Sequence, residues 1–272
     1  MKRTLFLVSD RTGITVETLV HTLMTQFDDP PDRRITLPFV DHQAKVVAAV
    51  QQINSAAEQD GVPPLVFSSL IDAGHREELK RCDGIVFDFF DAFLQPLSQV
   101  MGLRPKETAG LSHGMGEPQQ YDERVEAVNF ALNYDDGVKL RNLEGADIIL
   151  VGVSRSGKTP TCLYLAMHYG VRAANYPLTE EDFERHGLPA KLREHRHKLF
   201  GLTIAPERLQ RIREERRPGS KYASLSVCRK ELMEAENLFK LNDIPYLDST
   251  TISIEEMAAA IMHQASVTRR VF

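Results

Sequence analysis

The chain has 272 residues, of which 42% are hydrophobic and 26% charged. These proportions are ordinary for globular proteins and exclude intrinsically disordered and fibrous chains. The length suffices for one large domain or two ordinary ones. The formal net charge of −5 argues against a general nucleic-acid-binding protein.

Positive charge is concentrated in one part of this acidic chain. Residues 185–230 contain 13 Lys and Arg but only 4 Asp and Glu. A basic patch on an otherwise acidic protein indicates recognition of an anionic small molecule or of a phosphorylated partner.

The three cysteines, Cys82, Cys162 and Cys228, lie far apart and form no CxxC pair. This spacing is typical neither of a disulfide framework nor of a zinc site, so we expect free thiols in a reducing compartment. The apolar run Leu5–Val8 is too short for a signal-peptide core, and no run approaches the roughly 18 residues that span a bilayer. We therefore expect a soluble, cytoplasmic protein without membrane contacts.

Strand and helix patterns alternate through the first hundred residues, which predicts a parallel sheet covered on both faces. In the first helix, four apolar residues at helical spacing are predicted to form one stripe: Ile14, Leu19, Leu23 and Phe27. The predicted strands are Thr4–Ser9, Ile35–Val40, Pro64–Phe67 and Gly84–Phe87, and the predicted helices are Ile14–Phe27, Ala44–Ala57, Arg76–Arg81 and Ala92–Met101.

Residues 104–120 interrupt this alternation, with three glycines, two prolines and no apolar periodicity. Such a composition is typical of a loop or linker. We predict an N-terminal parallel-sheet α/β domain over residues 1–105, a linker over 106–120 and a second α/β domain over 121–272.

The second half resumes the alternation after a helix over Tyr121–Tyr134, which has Val125, Val128 and Leu132 on one face. The remaining predicted strands are Asp147–Val151, Val171–Asn175, Lys198–Thr203 and Ile244–Leu247, and the helices are Lys158–Tyr169, Pro206–Glu215, Tyr222–Leu241 and Ile254–Ala265.

One motif carries most of the functional information. The segment GVSRSGKT matches the pattern GxxxxGK[ST] at every fixed position. Its glycines allow a tight turn whose N–H groups point at phosphate oxygens, while the lysine charge and the helix that follows favour a polyphosphate. The threonine hydroxyl is a ligand for Mg²⁺. The predicted nucleotide-binding residues are Gly152, Val153, Ser154, Arg155, Ser156, Gly157, Lys158 and Thr159, with Lys158 also catalytic and Thr159 the Mg²⁺ ligand.

The context of the motif favours function over coincidence. A chance match occurs in about one in a hundred chains of this length at average residue frequencies. Here an apolar strand, DIILV, leads into the motif, and a helical pattern, TPTCLYLAMHYG, follows it. We predict that the second domain is a P-loop kinase-like α/β domain. A GTPase is disfavoured because no NKxD motif is present.

Other segments have two interpretations each. Asp10–Gly13 matches DxxG, and either caps the first helix through Asp10 or Thr12 or forms a second anion-binding turn. In the Arg-rich stretch Pro206–Lys221, an arginine is either part of a solvated helix face, a docking contact for a protein, or part of a lid over the transferring phosphoryl group. The candidate lid arginines are Arg213, Arg216 and Arg217, of which Arg213 is the predicted catalytic residue.

Candidates for proton transfer are less distinctive. Asp135-Asp136-Gly137 is either a simple turn or a carboxylate pair that holds Mg²⁺ or accepts a hydroxyl proton, with Asp136 as the candidate catalytic residue. Asp248 follows an apolar strand and is either an acidic residue beside a bound metal ion or a cap for the last helix.

Taken together, these segments resemble the phosphoenolpyruvate synthase regulatory protein family, close relatives of the pyruvate,phosphate dikinase regulatory proteins. The resemblance extends over nearly the whole chain and includes SDRTGIT, YDERVEAVNFALNYDDG, GVSRSGKTPTCLYLAMHYGVRAANYPL, KLFGLTIAPERLQRIREERR and KYASLSVCR. It departs at Ala205, where the family pattern GLTIDPERL has an aspartate.

The resemblance implies a bifunctional serine/threonine kinase and phosphorylase. One activity is ADP-dependent phosphorylation of a threonine on phosphoenolpyruvate synthase, which inactivates it. The other is phosphate-dependent removal of that group, which releases pyrophosphate. ADP, inorganic phosphate and Mg²⁺ are the implied small molecules. A P-loop small-molecule kinase and a non-enzymatic nucleotide sensor are the alternatives, and the sequence leaves the oligomeric state open, a homodimer included.

Overall fold

The computed structural model describes residues 3–107, 118–135, 143–184 and 187–268. The chain divides into two compact units, Met1–Gly114 and Met115–Phe272. Each unit contains one four-stranded parallel sheet, which confirms the predicted α/β class. The predicted linker falls largely outside the described residues, and its bounds stay a prediction. Within the described ranges, no helix is long and apolar enough to cross a membrane.

The first unit has the strand order β2-β1-β3-β4. Its strands are β1 (Leu5–Val8), β2 (Arg34–Leu37), β3 (Leu65–Ser68) and β4 (Ile85–Asp88), and its helices are α1 (Ile14–Met24), α2 (Gln43–Asp60), α3 (Ala73–Leu79) and α4 (Phe89–Met101).

Strand β1 lies inside this sheet and is buried on both faces. Leu5 and Leu7 pack in one apolar cluster with α1, and Phe6 and Val8 pack in another with α2 and α3. A parallel strand covered on both faces has a continuous apolar sequence, as LFLV does.

The predicted apolar stripe of α1 is not the buried face of this helix. Its four residues are between 39% and 62% exposed, and the buried side chains are Val16, Val20 and Met24. The helix is apolar on more than one side, so periodicity alone did not distinguish the two faces. The buried set has the spacing i, i+4, i+8, which places its members on one narrow face against Leu5 and Leu7.

The second unit has the strand order β6-β5-β7-β8, and all its neighbouring strands are parallel. Its strands are β5 (Ile148–Gly152), β6 (Ala173–Pro177), β7 (Leu199–Thr203) and β8 (Tyr246–Asp248), and its helices are α5 (Pro118–Asn133), α6 (Lys158–Tyr169), α7 (Glu180–Glu184), α8 (Ala190–Arg193), α9 (Pro206–Arg216), α10 (Leu225–Leu241) and α11 (Ile254–Gln264).

Helices cover both faces of this sheet as well. Ile149 and Val151 of β5 share an apolar cluster with α10, and Ile148 and Leu150 share another with α5, α6 and α11. The predicted packing face of α5 is wrong at two of its three positions, because Val125 and Leu132 are exposed. The buried residues of α5 are instead alanines, Ala127 and Ala131, whose small side chains permit close approach to α6.

Two local differences from the predicted elements lie in the second unit. The short helices α7 and α8 were not predicted. Helix α10 begins three residues later than predicted, because the Ser224 side chain caps it by accepting from the Val227 N–H. Tyr222 lies before it, in the 3₁₀ turn Lys221–Ala223. Ala205 occupies the N-cap position of α9, where the aspartate of the family pattern would act as a helix cap.

Candidate nucleotide site

The segment 152–159, called the nucleotide loop after its predicted role, joins β5 to α6 at the carboxyl edge of the second sheet. Gly152 is the last residue of β5, one residue beyond the predicted end of this strand, and Lys158 is the first residue of α6, as predicted. Strand β5 pairs with β6 on one side and β7 on the other, which makes this edge the topological switch point of the sheet. Open parallel sheets bind ligands at such points.

The backbone of the nucleotide loop requires glycine at two positions. A Cβ atom on Gly152 would lie 2.3 Å from the Leu202 carbonyl oxygen, so only glycine allows β7 to approach this closely. Gly157 has a φ of +93°, in the left-handed region that favours glycine. Arg155 has a φ of 78° without being glycine, an unfavourable conformation of the kind that concentrates at functional sites.

The first turn of α6 leaves backbone donors available at the loop. Gly157 is the N-cap residue, and no side chain of the described residues caps the helix there. The N–H groups of a first helical turn have no acceptors within the helix, and together with the helix dipole they favour an anion. Pro160 in this turn has no N–H to satisfy.

Lys158 is 4% exposed, and its Nζ atom donates to the Val153 carbonyl oxygen over 2.7 Å. The ammonium group is thus held inside the nucleotide loop by the loop's own backbone. A buried lysine at the beginning of a helix is a strong attractant for phosphate oxygens, because the low local dielectric strengthens the charge interaction.

The next residue, Thr159, forms hydrogen bonds with the side chains of Asp135 and Asn175. The Thr159 hydroxyl donates to Asp135 Oδ1 over 2.8 Å. Asn175 Nδ2 donates to the same carboxylate oxygen over 2.6 Å and to Thr159 Oγ1 over 3.0 Å. Thr159 and the acidic pair were predicted site residues, whereas Asn175 was not; its signal was a polar side chain within strand β6, where it is buried.

Asp136, the carboxylate selected as a catalytic candidate, lies outside the described residues, and its role stays a prediction. Its neighbour Asp135 is the carboxylate that the structure places beside Thr159. Among the described residues, no group of three His, Cys, Asp or Glu side chains could hold a metal ion. Mg²⁺ does not need one, since it is usually bound through one or two carboxylates, waters and substrate phosphates.

Arg213 lies behind the nucleotide loop and is fully buried. Its Nη2 atom donates to the Ser154 carbonyl oxygen over 3.1 Å and to Glu231 Oε2 over 2.6 Å. Its guanidinium carbon is 4.1 Å from the centroid of the Tyr222 ring, and the Tyr222 hydroxyl donates to Ser154 Oγ over 2.9 Å. Arg213 therefore supports the loop from inside the protein, in a position different from the predicted lid over the transferring phosphoryl group.

The opposite side of the loop is anchored by Ser249, which follows β8. Its hydroxyl is within hydrogen-bonding distance of the carbonyl oxygens of Ser156 and Thr203, at 3.1 and 3.0 Å. The nucleotide loop is therefore held from two directions by residues far away in the sequence. Such support keeps the loop in its conformation before a ligand binds, which lowers the cost of binding.

A cavity of about 500 Å³ opens in front of the loop, within the usual range for small-molecule sites. Its walls combine the predicted loop with the residues that the fold adds: Asp135, Ser154, Arg155, Gly157, Lys158, Thr159, Pro160, Asn175, Ile212 and Arg216.

Asp10, Thr12 and Asp248 do not have the helix-capping roles that were considered for them. The DxxG turn does not cap α1 through Asp10 or Thr12, because Gly13 is the N-cap residue and no side chain of the described residues bonds there. The Asp10 carboxylate accepts instead from the Ile71 N–H over 3.4 Å. Asp248 does not cap the last helix, which begins with a capping box formed by Ser253 and Glu256.

All three cysteines are free and buried, as expected from their spacing. Cys162 lies on α6, directly behind the loop. Burial raises the pKa of its thiol, the charge of Asp135 raises this pKa further, and Lys158 acts in the opposite direction. The thiol is therefore kept protonated, and its position behind the loop is one of packing.

Comparison with known proteins is consistent with this geometry. The family model described as kinase/pyrophosphorylase matches residues 5–262. A protein of Pseudomonas fluorescens (strain Pf0-1), named "Putative phosphoenolpyruvate synthase regulatory protein", is 51% identical over 270 residues, 99% of each chain. A protein of the same name from Alkalilimnicola ehrlichii is 49% identical over 271 residues, 100% of this chain and 98% of the relative. The chain belongs to the kinase/pyrophosphorylase family.

Proposed function

We propose that this protein is an ADP-dependent protein-threonine kinase and a phosphate-dependent phosphorylase that regulates phosphoenolpyruvate synthase. The observation that carries the proposal is the nucleotide loop, with its buried Lys158, the helix N-terminus at Gly157 and the adjacent Thr159–Asp135 pair in one cavity. The target enzyme is suggested by the names of relatives that match over full length.

In the kinase direction, the loop N–H groups and Lys158 would bind the two phosphate groups of ADP. The bond between the β-phosphorus and the bridging oxygen of ADP breaks, and the threonine oxygen of the target forms a new bond to that phosphorus. The products are AMP and phosphothreonine, and the threonine hydroxyl releases one proton. Asp136 is the predicted acceptor of this proton, and the structure places its neighbour Asp135 at the cavity wall.

In the phosphorylase direction, an oxygen of inorganic phosphate attacks the phosphothreonine phosphorus. The threonine oxygen leaves and takes the proton that the hydrogen phosphate carried. The products are threonine and pyrophosphate, so atoms and charge balance without any further reactant. Both directions place negative charge at the nucleotide loop, where the buried Lys158 and the helix N-terminus favour it.

The donor set beside the loop fits Mg²⁺. Thr159 Oγ1 and Asp135 Oδ1 would hold the ion, and both are hard oxygen ligands of the kind Mg²⁺ prefers. When bound, Mg²⁺ neutralises charge on the phosphate oxygens and orients them. Asn175 positions both residues, since its Nδ2 atom contacts the two oxygens.

The proposal is tested by incubating the purified protein with phosphoenolpyruvate synthase and ADP labelled on its β-phosphate. We expect label on a threonine of the synthase and release of AMP, whereas γ-labelled ATP donates none. The labelled synthase, transferred to unlabelled phosphate, should release labelled pyrophosphate. Label on a metabolite would instead identify a small-molecule kinase, and nucleotide binding without any transfer would identify a sensor.

A further inference from the structure

A second, smaller cavity borders the nucleotide loop. Its volume is about 240 Å³, and it is lined by Ser154, Arg155, Arg216, Arg217 and Tyr222. We call it the arginine cavity. Three of these residues, Ser154, Arg155 and Arg216, also line the larger cavity, so the two spaces share a wall. Arg217 and Tyr222 line the small cavity but not the large one.

The arginines of this cavity form no ion pair with a carboxylate of the described residues. Within the described part of the chain, none of its three arginines has an Asp or Glu oxygen within 4.0 Å, whereas the neighbouring Arg213 and Arg229 each have one. Three arginines that line one small cavity place like charges near one another, and an anion bound among them would relieve the repulsion between those charges. The planar donor fork of arginine matches phosphate oxygens in particular.

The local backbone holds these arginines at the cavity. Helix α9 ends at Arg216, and Arg217 is its C-cap residue. Gly219 follows with a φ of +68°, and its N–H donates to Glu214 Oε1 over 2.7 Å, which closes the turn. A helix C-terminus favours cations, which accounts for part of this charge. Arg155 comes from a different element and is held there in a left-handed conformation.

Two hydroxyl groups complete the lining. The Tyr222 hydroxyl donates to Ser154 Oγ, so the Ser154 hydroxyl hydrogen is left to donate elsewhere. Tyr222 itself is fixed by the buried Arg213, whose Nη1 atom donates to the Tyr222 carbonyl oxygen over 3.1 Å. The cavity therefore combines three cations with an oriented hydroxyl donor, and the residues behind it are rigidly held.

We propose that the arginine cavity binds a phosphate dianion in addition to the phosphate groups in the nucleotide loop. The ligand is either inorganic phosphate or the phosphoryl group of a phosphothreonine. The identification of these two sources rests on the proposed function, because transfer from phosphothreonine to phosphate requires two phosphate groups to be held side by side. The shared wall of the two cavities provides adjacent positions for them.

Arg217 separates this proposal from nucleotide binding, since it does not line the larger cavity. The matched control is Arg211→Gln, which removes the same charge from an exposed position of α9 that lines neither cavity. Inorganic phosphate and a phosphothreonine peptide are titrated separately, by calorimetry, into full-length protein saturated with ADP and Mg²⁺. Saturation fills the nucleotide loop, so that any further phosphate binding reports on the arginine cavity.

We expect at least one of the two ligands to bind, and the tighter one identifies the source of the phosphate. Arg217→Gln should weaken this binding about tenfold, as expected for one charge-assisted contact, while Arg211→Gln changes it less than about twofold. Arg217→Lys should give an intermediate loss because it keeps the charge but not the planar fork. The affinity for ADP should be the same in all three variants and the unmodified protein.

The proposal is overturned if neither ligand binds the ADP-saturated protein, or if the Arg217 and Arg211 variants weaken binding equally. Its failure is distinguishable from failure of the proposed function. Transfer of label from ADP to the synthase can persist when the arginine cavity binds nothing. Conversely, phosphate binding that depends on Arg217 can persist in a protein that transfers no label.

Discussion

The two units of this protein share their sheet topology and the backbone of the turn after their first strand, but they differ in the side chains of that turn. In both sheets the chain order of strands is second, first, third, fourth, and all are parallel. In both, five residues separate the first strand from its helix. Both helices have a left-handed glycine as N-cap, Gly13 with a φ of 83° and Gly157 with a φ of 93°. The two turns are also similar in sequence, Arg-Thr-Gly-Ile-Thr against Arg-Ser-Gly-Lys-Thr.

The difference lies in the side chains around the glycine. Where the second turn has the buried Lys158, the first has Ile14, which is 60% exposed. Thr159 contacts a carboxylate, whereas Thr15 is exposed. Both units therefore use a turn with a left-handed glycine to connect the first strand to the helix that follows it. Phosphate chemistry is predicted only where a lysine and an acidic partner are added to it.

The largest effect is expected from the lysine. Lys158→Ala should reduce transfer in both directions by about 10²–10³-fold, because it removes a charge placed on the phosphate groups. Ile14→Ala, at the corresponding position of the first unit, should leave the rate unchanged. Initial rates with labelled ADP measure both. A folded Lys158→Ala protein with a near-normal rate would contradict the assignment of the nucleotide loop.

Next in size is the effect of the buried arginine. Arg213→Met removes the brace on Ser154 and leaves Glu231 without its guanidinium partner. Because the Glu231 side chain is 26% exposed, the free energy of unfolding should fall by about 2 kcal/mol, less than when a fully buried pair is broken. Arg11 in the first turn is exposed, and Arg11→Met should change stability by less than about 0.5 kcal/mol.

Unfolding in denaturant measures the stability of the Arg213→Met and Arg11→Met variants. The double variant Arg213→Met/Glu231→Met should recover part of the lost stability, because it no longer leaves a partly buried carboxylate without its partner. If the double variant were less stable than the single one, the loss would come from packing rather than from the unpaired charge.

A smaller effect is expected from the threonine hydroxyl. Thr159→Val preserves the shape of the side chain but removes a proposed Mg²⁺ ligand, so the Mg²⁺ concentration needed for half-maximal activity should rise at least about tenfold. ADP binding without Mg²⁺ should change little. Thr15→Val serves as the matched control in the first unit. An unchanged Mg²⁺ dependence for Thr159→Val would show that the ion is held by other residues.

The smallest effect is expected where the two turns are alike. Gly13→Ala and Gly157→Ala should each lower the free energy of unfolding by about 1–2 kcal/mol, since both glycines have positive φ. Only Gly157→Ala should also impair ADP binding. Gly74→Ala, in helix α3 without a positive φ, controls for the added methyl group. Unequal stability losses at the two turns would indicate that their backbones are not equivalent.

Several features of this fold were predictable because they depend on short stretches of sequence. The order of strands and helices followed from apolar runs, and α6 was predicted with both of its ends correct. The packing faces of α1 and α5 were not predictable in the same way. Both helices carry apolar residues on more than one side, and the sheet they pack against determines which side is buried.

The candidate site also combines features that were predictable from the sequence with features that were not. The nucleotide loop is contiguous, so the sequence by itself determined its residues, its glycines and the beginning of its helix. Only the tertiary structure decided that Asp135 meets Thr159 across 24 positions, that Arg213 contacts Ser154 across 59, and that Tyr222 contacts Ser154 across 68. Local conformational preferences act over a few residues, whereas these contacts depend on how whole helices and strands bury their apolar faces. The same packing turned Arg213 inward, away from the lid position that its sequence neighbourhood indicated.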